Sequence, residues 1–78
     1  MVIDHGGPEY LYLQLAAVLR ERIRSGKMPP RSRVPSLTAL AAEYDLADMT
    51  VRRALRILID EGLIETRPGR GTFVKAQD

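Results

Sequence analysis

Apolar residues recur along this chain in three blocks with helical spacing, followed by one with strand spacing. In the first block Leu11, Leu15, Leu19 and Ile23 stand four apart, and Tyr12, Ala16 and Val18 widen the stripe. Arg20, Glu21, Arg22 and Arg24 fill much of the other face. That pattern predicts an amphipathic helix from Glu9, with Pro8 suited to its first turn and Gly26 ending it in left-handed backbone. Lys27 to Pro35 reads as a loop, because residues before proline avoid helical angles and Met28-Pro29-Pro30 is therefore extended. Val34 is expected to tuck into the core. Ser36 is a good N-cap for a second helix, Leu37 to about Tyr44, with Leu37, Leu40, Ala41 and Tyr44 on one face. Its capping box is incomplete, since Ala39 stands where Glu or Gln would reach back. Asp45 tolerates the left-handed backbone of a turn, and Leu46 should point inward to lock it.

A third helix is predicted from Asp48 to Glu61, ended by Gly62. Val51, Leu55 and Leu58 form its buried stripe, Ala54 allows close approach, and Arg52, Arg53 and Arg56 lie away from that stripe. Asp48 either caps this helix or favours its positive end. The period then changes. Leu63-Ile64-Glu65-Thr66 and Thr72-Phe73-Val74 read as short strands around the turn Arg67-Pro68-Gly69-Arg70-Gly71. The fold class is mainly α with a small β-hairpin: three helices, then a two-stranded wing. Residues 9–75 form the domain, flanked by tails at 1–8 and 76–78, with His5 a solvated residue of the first tail.

With 78 residues the chain is a single domain, and one of that size buries only about 60% of its unfolded surface. That leaves little room for a buried catalytic cavity. No Cys and a lone His exclude a disulfide and a structural zinc site. No nucleophile–base pair and no phosphate-binding P-loop stands out, so an enzyme is not expected, nor is a cofactor. No apolar run approaches the roughly 20 residues of a membrane span, and the first residues lack the pattern of a signal peptide. A cytoplasmic protein is expected. The formal charge is only +2 and the isoelectric point about 9.4. Charge alone therefore points only weakly to nucleic acid, and the placement of the arginines matters more.

Two short helices joined by a tight turn have the spacing of a helix-turn-helix, whose second helix enters the major groove of DNA. Its N-terminal end carries Asp48, Met49, Thr50, Arg52 and Arg53. Arg can hold guanine O6 and N7 with two hydrogen bonds, and Thr can reach a phosphate or a thymine methyl. Arg56, one turn beyond Arg52, would meet the backbone. At the hairpin tip, Gly69 and Gly71 allow close backbone approach, and Arg67 and Arg70 supply charge to a phosphate or the minor groove. A protein-interaction module on the same fold stays open on this evidence, since fold does not fix function.

The series Pro29-Pro30, Val34-Pro35-Ser36, Leu40-Ala41, Tyr44, Thr50-Val51-Arg52-Arg53-Ala54-Leu55, Leu58, Glu61-Gly62-Leu63-Ile64 and Gly69-Arg70-Gly71-Thr72-Phe73-Val74 resembles the N-terminal DNA-binding domain of the GntR family of bacterial regulators. Tyr12, Gln14, Leu19-Arg20, Ile23 and Gly26 match that family's first helix. The resemblance covers about Tyr10 to Val74. It implies a winged helix-turn-helix that binds a double-stranded operator, with Thr50, Arg52 and Gly69 matching family contact positions. Ser36 and Thr38 stand at the start of the second helix, where the family often has an Arg that holds a phosphate; Thr38 implies a weaker contact. Arg31 replaces a usual Gly. The usual turn sequence becomes Asp45-Leu46-Ala47-Asp48, and Asp48 stands where many members place a base-reading Arg. A carboxylate cannot bind guanine O6 or N7 but accepts from cytosine N4, so Asp48 is expected to change base preference or only to cap the helix. Family members usually carry a second domain that binds a metabolite and forms the dimer. This sequence stops just after the wing, which leaves an excised domain or a stand-alone regulator, the second being the expectation here, and no small-molecule effector is expected in these residues. A homodimer on a palindromic site would place two recognition helices about one helical turn apart.

Overall fold

The computed structural model describes residues 3–6 and 10–76. Three helices precede a β-ribbon: α1 (Leu11–Arg24), α2 (Leu37–Tyr44), α3 (Asp48–Asp60), β1 (Ile64–Arg67) and β2 (Gly71–Val74). Pro8 and Glu9, expected at the start of α1, lie outside the described residues. The N-cap position is Tyr10, whose carbonyl accepts from the Leu13 and Gln14 amides. α1 buries Leu15, Ala16, Val18, Leu19 and Ile23. Gly26 follows in left-handed backbone, φ 86, as expected.

Local chemistry sets α2 as the sequence predicts. Ser36 Oγ accepts from the Ala39 amide at 3.1 Å, and Asp45 ends the helix at φ 55. The Leu46 amide returns to the Ala41 carbonyl at 3.0 Å, with its side chain buried. α3 buries Val51, Ala54 and Leu58. Leu55, expected in that stripe, is only half-buried because it lines a cleft beside the ribbon. Leu15, Leu19, Leu40, Val51, Leu58, Ile64 and Val74 are fully buried. Each such side chain contributes roughly 1.5–3 kcal/mol. Outside this core, Arg20 donates to both Glu61 oxygens, at 2.9 and 2.6 Å, joining α1 to the end of α3.

The ribbon pairs Ile64 with Val74, Glu65 with Phe73, Thr66 with Thr72 and Arg67 with Gly71, antiparallel. Its two strands start and end within a residue of expectation. The preceding loop, however, is not wholly irregular. Arg33 bridges Phe73. The Arg31 amide donates to the Val74 carbonyl at 2.8 Å, the Val34 amide to Thr72 at 2.8 Å, and the Val74 amide to Ser32 at 2.9 Å. Residues 31–34 thus cover the β2 edge that would otherwise expose unpaired backbone groups. Arg31 enters this pairing at φ 69, a left-handed angle uncommon for a residue with a side chain.

The described part of the expected N-terminal tail is docked. Ile3 is buried in the core cluster. Gln14 accepts from the Asp4 amide at 2.7 Å and donates to the Asp4 carbonyl at 2.9 Å. His5 is exposed, yet its Nε2 donates to the Asp45 carbonyl at 2.9 Å. A single apolar anchor held by one glutamine has no periodicity, which is why the sequence reads as a tail there.

Candidate nucleic-acid interface

α3 displays its polar face because its apolar face is fully used. With Val51, Ala54 and Leu58 turned inward, the 3.6-residue period leaves Asp48, Met49, Arg52, Arg53 and Arg56 exposed. Thr50 is half-buried. Met49 is 64% exposed, a large apolar side chain presented to solvent at the first turn of the helix. Three residues, 45–47, separate α2 from α3, and left-handed Asp45 makes the bend compact.

The four charged side chains of this face differ. Arg52 makes no hydrogen bond or ion pair among the described residues. The Arg53 guanidinium lies 4.3 Å from the Tyr12 ring centroid, and Tyr10 stacks on Tyr12 with centroids 5.9 Å apart. Arg56 pairs with Asp60 at 3.4 Å one turn along, both well exposed, an arrangement worth only about 0.3–0.5 kcal/mol. Asp48 is the first helical residue and makes no capping bond; Ala47 holds the N-cap position. The expectation that Asp48 caps is therefore corrected. Its carboxylate instead sits at the positive end of the helix, where negative charge is favoured.

The wing stands beside this face. Gly69 has φ 75 and Gly71 φ 120, and the Arg70 amide closes the tip onto the Arg67 carbonyl at 2.9 Å. Arg70 and Gly69 are exposed, and the Arg70 side chain has no partner among the described residues. Arg67 is less free: it donates to Glu65 at 3.1 Å and lies 5.7 Å from the Phe73 ring centroid. Gly71 is half-buried because the Arg33 guanidinium packs where a side chain would stand.

Between α3 and the wing runs an open cleft of about 380 Å³, bordered by Ser36, Arg52, Arg56, Thr66 and Thr72 over a floor that includes Leu55. Ser36 and Thr38, at the start of α2, are exposed. Neither motif nor charge singles out Thr66 and Thr72 in the sequence. Strand alternation could have found them, since it places both on the same ribbon face as Ile64 and Val74. The structure thus brings Ser36, Arg52, Arg56 and the wing hydroxyls together around one cleft, and sets Arg53 apart, against Tyr12 of α1.

Three helices, a helix-turn-helix and a two-stranded wing define a winged helix-turn-helix domain. Residues 11–74 match the family described as bacterial regulatory proteins, gntR family. The chain belongs to the GntR family. It is 42% identical over 67 residues to the histidine utilization repressor of Klebsiella aerogenes, covering 86% of this chain and 28% of that one. It is 38% identical over 71 residues to the mannosyl-D-glycerate transport/metabolism system repressor MngR of Escherichia coli K12, covering 91% of this chain and 30% of MngR. The chain thus spans under a third of either repressor. Among solved structures, YtrA from Sulfolobus acidocaldarius, a GntR-family transcription factor, superposes with a TM-score of 0.89 at 32% identity, covering 97% of this chain and 80% of YtrA. These relatives are transcription regulators, not enzymes.

Proposed function

We propose that α3 lies in the major groove of an operator duplex, with the wing on the adjacent backbone or minor groove. The observation that carries this reading is the exposed face of α3 bearing Asp48, Met49 and Arg52, with Arg52 sharing a cleft with Thr66 and Thr72 of the wing. Arg52 reads a guanine edge, and Met49 offers an apolar contact for a thymine methyl. Thr50, Ser36 and Thr38 bind phosphate, and Arg53 and Arg56 add positive charge near the backbone. Gly69 lets the wing backbone come close, whereas the space at Gly71 is taken by Arg33, and Arg67 and Arg70 carry charge to the strand or minor groove. Asp48 selects cytosine through its N4 donor.

Support also comes from the AraR DNA-binding domain solved in complex with operator ORR3, which superposes with a TM-score of 0.77 at 29% identity over 94% of both chains. The names of the curated relatives favour repression as the outcome. Two copies on a palindromic site are the arrangement that gives one small domain enough base contacts. DNA, rather than a small-molecule effector, is the partner of residues 9–75, and a bacterial regulator of this kind works in the cytoplasm. No helix among the described residues is long and apolar enough to cross a membrane.

Selection of bound sites from random duplexes, followed by gel shift on the winner, tests the reading. Arg52→Ala should weaken binding about tenfold or more, since a bidentate guanine contact is worth roughly 1–3 kcal/mol. Sedimentation on the selected duplex should give two chains per palindrome. Full-strength binding by Arg52→Ala would remove the major-groove assignment.

A further inference from the structure

The two faces of the ribbon border different spaces. Thr66 and Thr72 face the cleft against α3. On the other face Glu65, Arg67 and Phe73 line a second open pocket of about 550 Å³, completed by Arg31 and Lys75. Three cations and one carboxylate surround an aromatic side chain there, on the side of the wing turned away from the recognition helix. The Arg67 charge is already partly answered by Glu65. The Arg31 side chain is exposed and has no hydrogen bond or ion pair among the described residues, so its guanidinium can meet an incoming anion without first breaking an ion pair.

Arg31 is also the residue whose backbone is unusual. At φ 69 it adopts a conformation that glycine reaches freely and other residues reach at a cost. Its amide is fixed to Val74, so the pairing of residues 31–34 with β2 enforces this angle. Glycine would satisfy the backbone better than arginine does. A side chain kept at such an angle invites a functional explanation, in the direction from observed outlier to role.

We propose that this outer pocket is a second DNA-backbone site, in which Arg31, supported by Arg67 and Lys75, binds a phosphate across the minor groove from the strand that α3 follows. The inference rests on the DNA-binding reading above and extends its footprint. A ribbon at a minor groove has a strand on either side. Its inner face and α3 serve one, and the basic outer face serves the other. Contacts of this kind fix position without reading sequence. Arg31 should therefore add affinity equally on operator and non-operator duplexes.

Arg31→Gly is the informative variant, because it removes the charge and relieves the backbone together. It should unfold no earlier than wild type. One lost phosphate contact lowers the slope of log affinity against log salt by about 0.9, so the deficit of the variant relative to wild type shrinks about 3.5-fold between roughly 50 and 200 mM salt. Arg31→Lys should keep the wild-type slope. Hydroxyl-radical footprints should lose protection on the minor-groove strand flanking the α3 contacts, with the α3 footprint intact. An Arg31→Gly variant with wild-type slope and footprint overturns the proposal and leaves the major-groove reading standing; a pocket that takes a free anion instead would give that result. Failure of the wild-type chain to bind any duplex overturns both.

Discussion

The guanidinium of Arg53 rests 4.3 Å from the centre of the Tyr12 ring, while its neighbour Arg52 extends from the same helix with no partner among the described residues. Adjacent arginines of one recognition helix are therefore not equivalent. Arg53 ties α3 to α1, and Arg52 is left exposed for the base contact proposed for it. Tyr12→Leu and Arg53→Ala should each lower stability. A double-mutant cycle in urea should return a coupling of about 0.5–1 kcal/mol, the size of an exposed cation–π contact. Arg53→Ala should cost less duplex affinity than Arg52→Ala. Zero coupling would mean that the ring contact has no energetic weight.

Asp48 offers a test of specificity. It sits on the first turn of α3, exposed and free of any capping bond. On a panel of duplexes differing at one position, Asp48→Arg should move the preference there from cytosine towards guanine, with each mismatch costing about 1–3 kcal/mol. Identical rank orders for variant and wild type would leave Asp48 as a purely electrostatic feature of the helix end.

Much of this arrangement is legible in the sequence because it rests on local rules. The Ser36 cap, the left-handed turn at Asp45 and the buried Leu46 follow from single-residue chemistry. Val51, Ala54 and Leu58 follow from period. What escapes is non-periodic or long-range. Residues 31–34 pair with β2 over too short a stretch, and beside too many prolines, to show alternation. Ile3 is a lone anchor held through Gln14. The stack of Arg53 on Tyr12 joins residues on different helices, and no spacing rule announces it. Asp48 illustrates a boundary one residue away from its expected role: with Ala47 at the N-cap position, the aspartate falls inside the helix and loses the capping geometry.

Acid should expose the α1–α3 link. The hydrogen bonds from Arg20, and to a lesser degree its charge and that of Arg24, hold the Glu61 carboxyl below its ordinary value of 4.5. A carboxyl with a depressed folded value stabilises above its unfolded value and loses that contribution as pH falls through the folded one. Wild-type stability should thus decline on acidification from about pH 5 to below pH 4 more steeply than that of Glu61→Gln, as followed by urea unfolding at each pH. The pair is partly solvated, so the difference should be modest. Parallel pH curves would deny the pair its role.

The wing glycines should separate by mechanism. At Gly69 a Cβ would meet nothing within 4 Å, so Ala suffers only from φ 75. At Gly71 the φ of 120 is farther from any region open to Ala, and the Cβ would stand 3.0 Å from the Arg33 Nε. Gly69→Ala should cost about 1 kcal/mol and Gly71→Ala about 2–3 kcal/mol. For a domain of this size that means Tm drops of roughly 4–8 °C per kcal/mol. Equal losses would argue against the Arg33 packing.

The backbone bonds from residues 31–34 to β2 brace the hairpin from outside while α3 supports it from within. Such a ribbon cannot swing like a free loop; its reach from the reading helix is set during folding, as in a calliper locked at one gauge. Little ordering is left for the moment of association. The molecule should consequently discriminate among duplexes by the local width and curvature between the two landing points, even where no side chain touches a base.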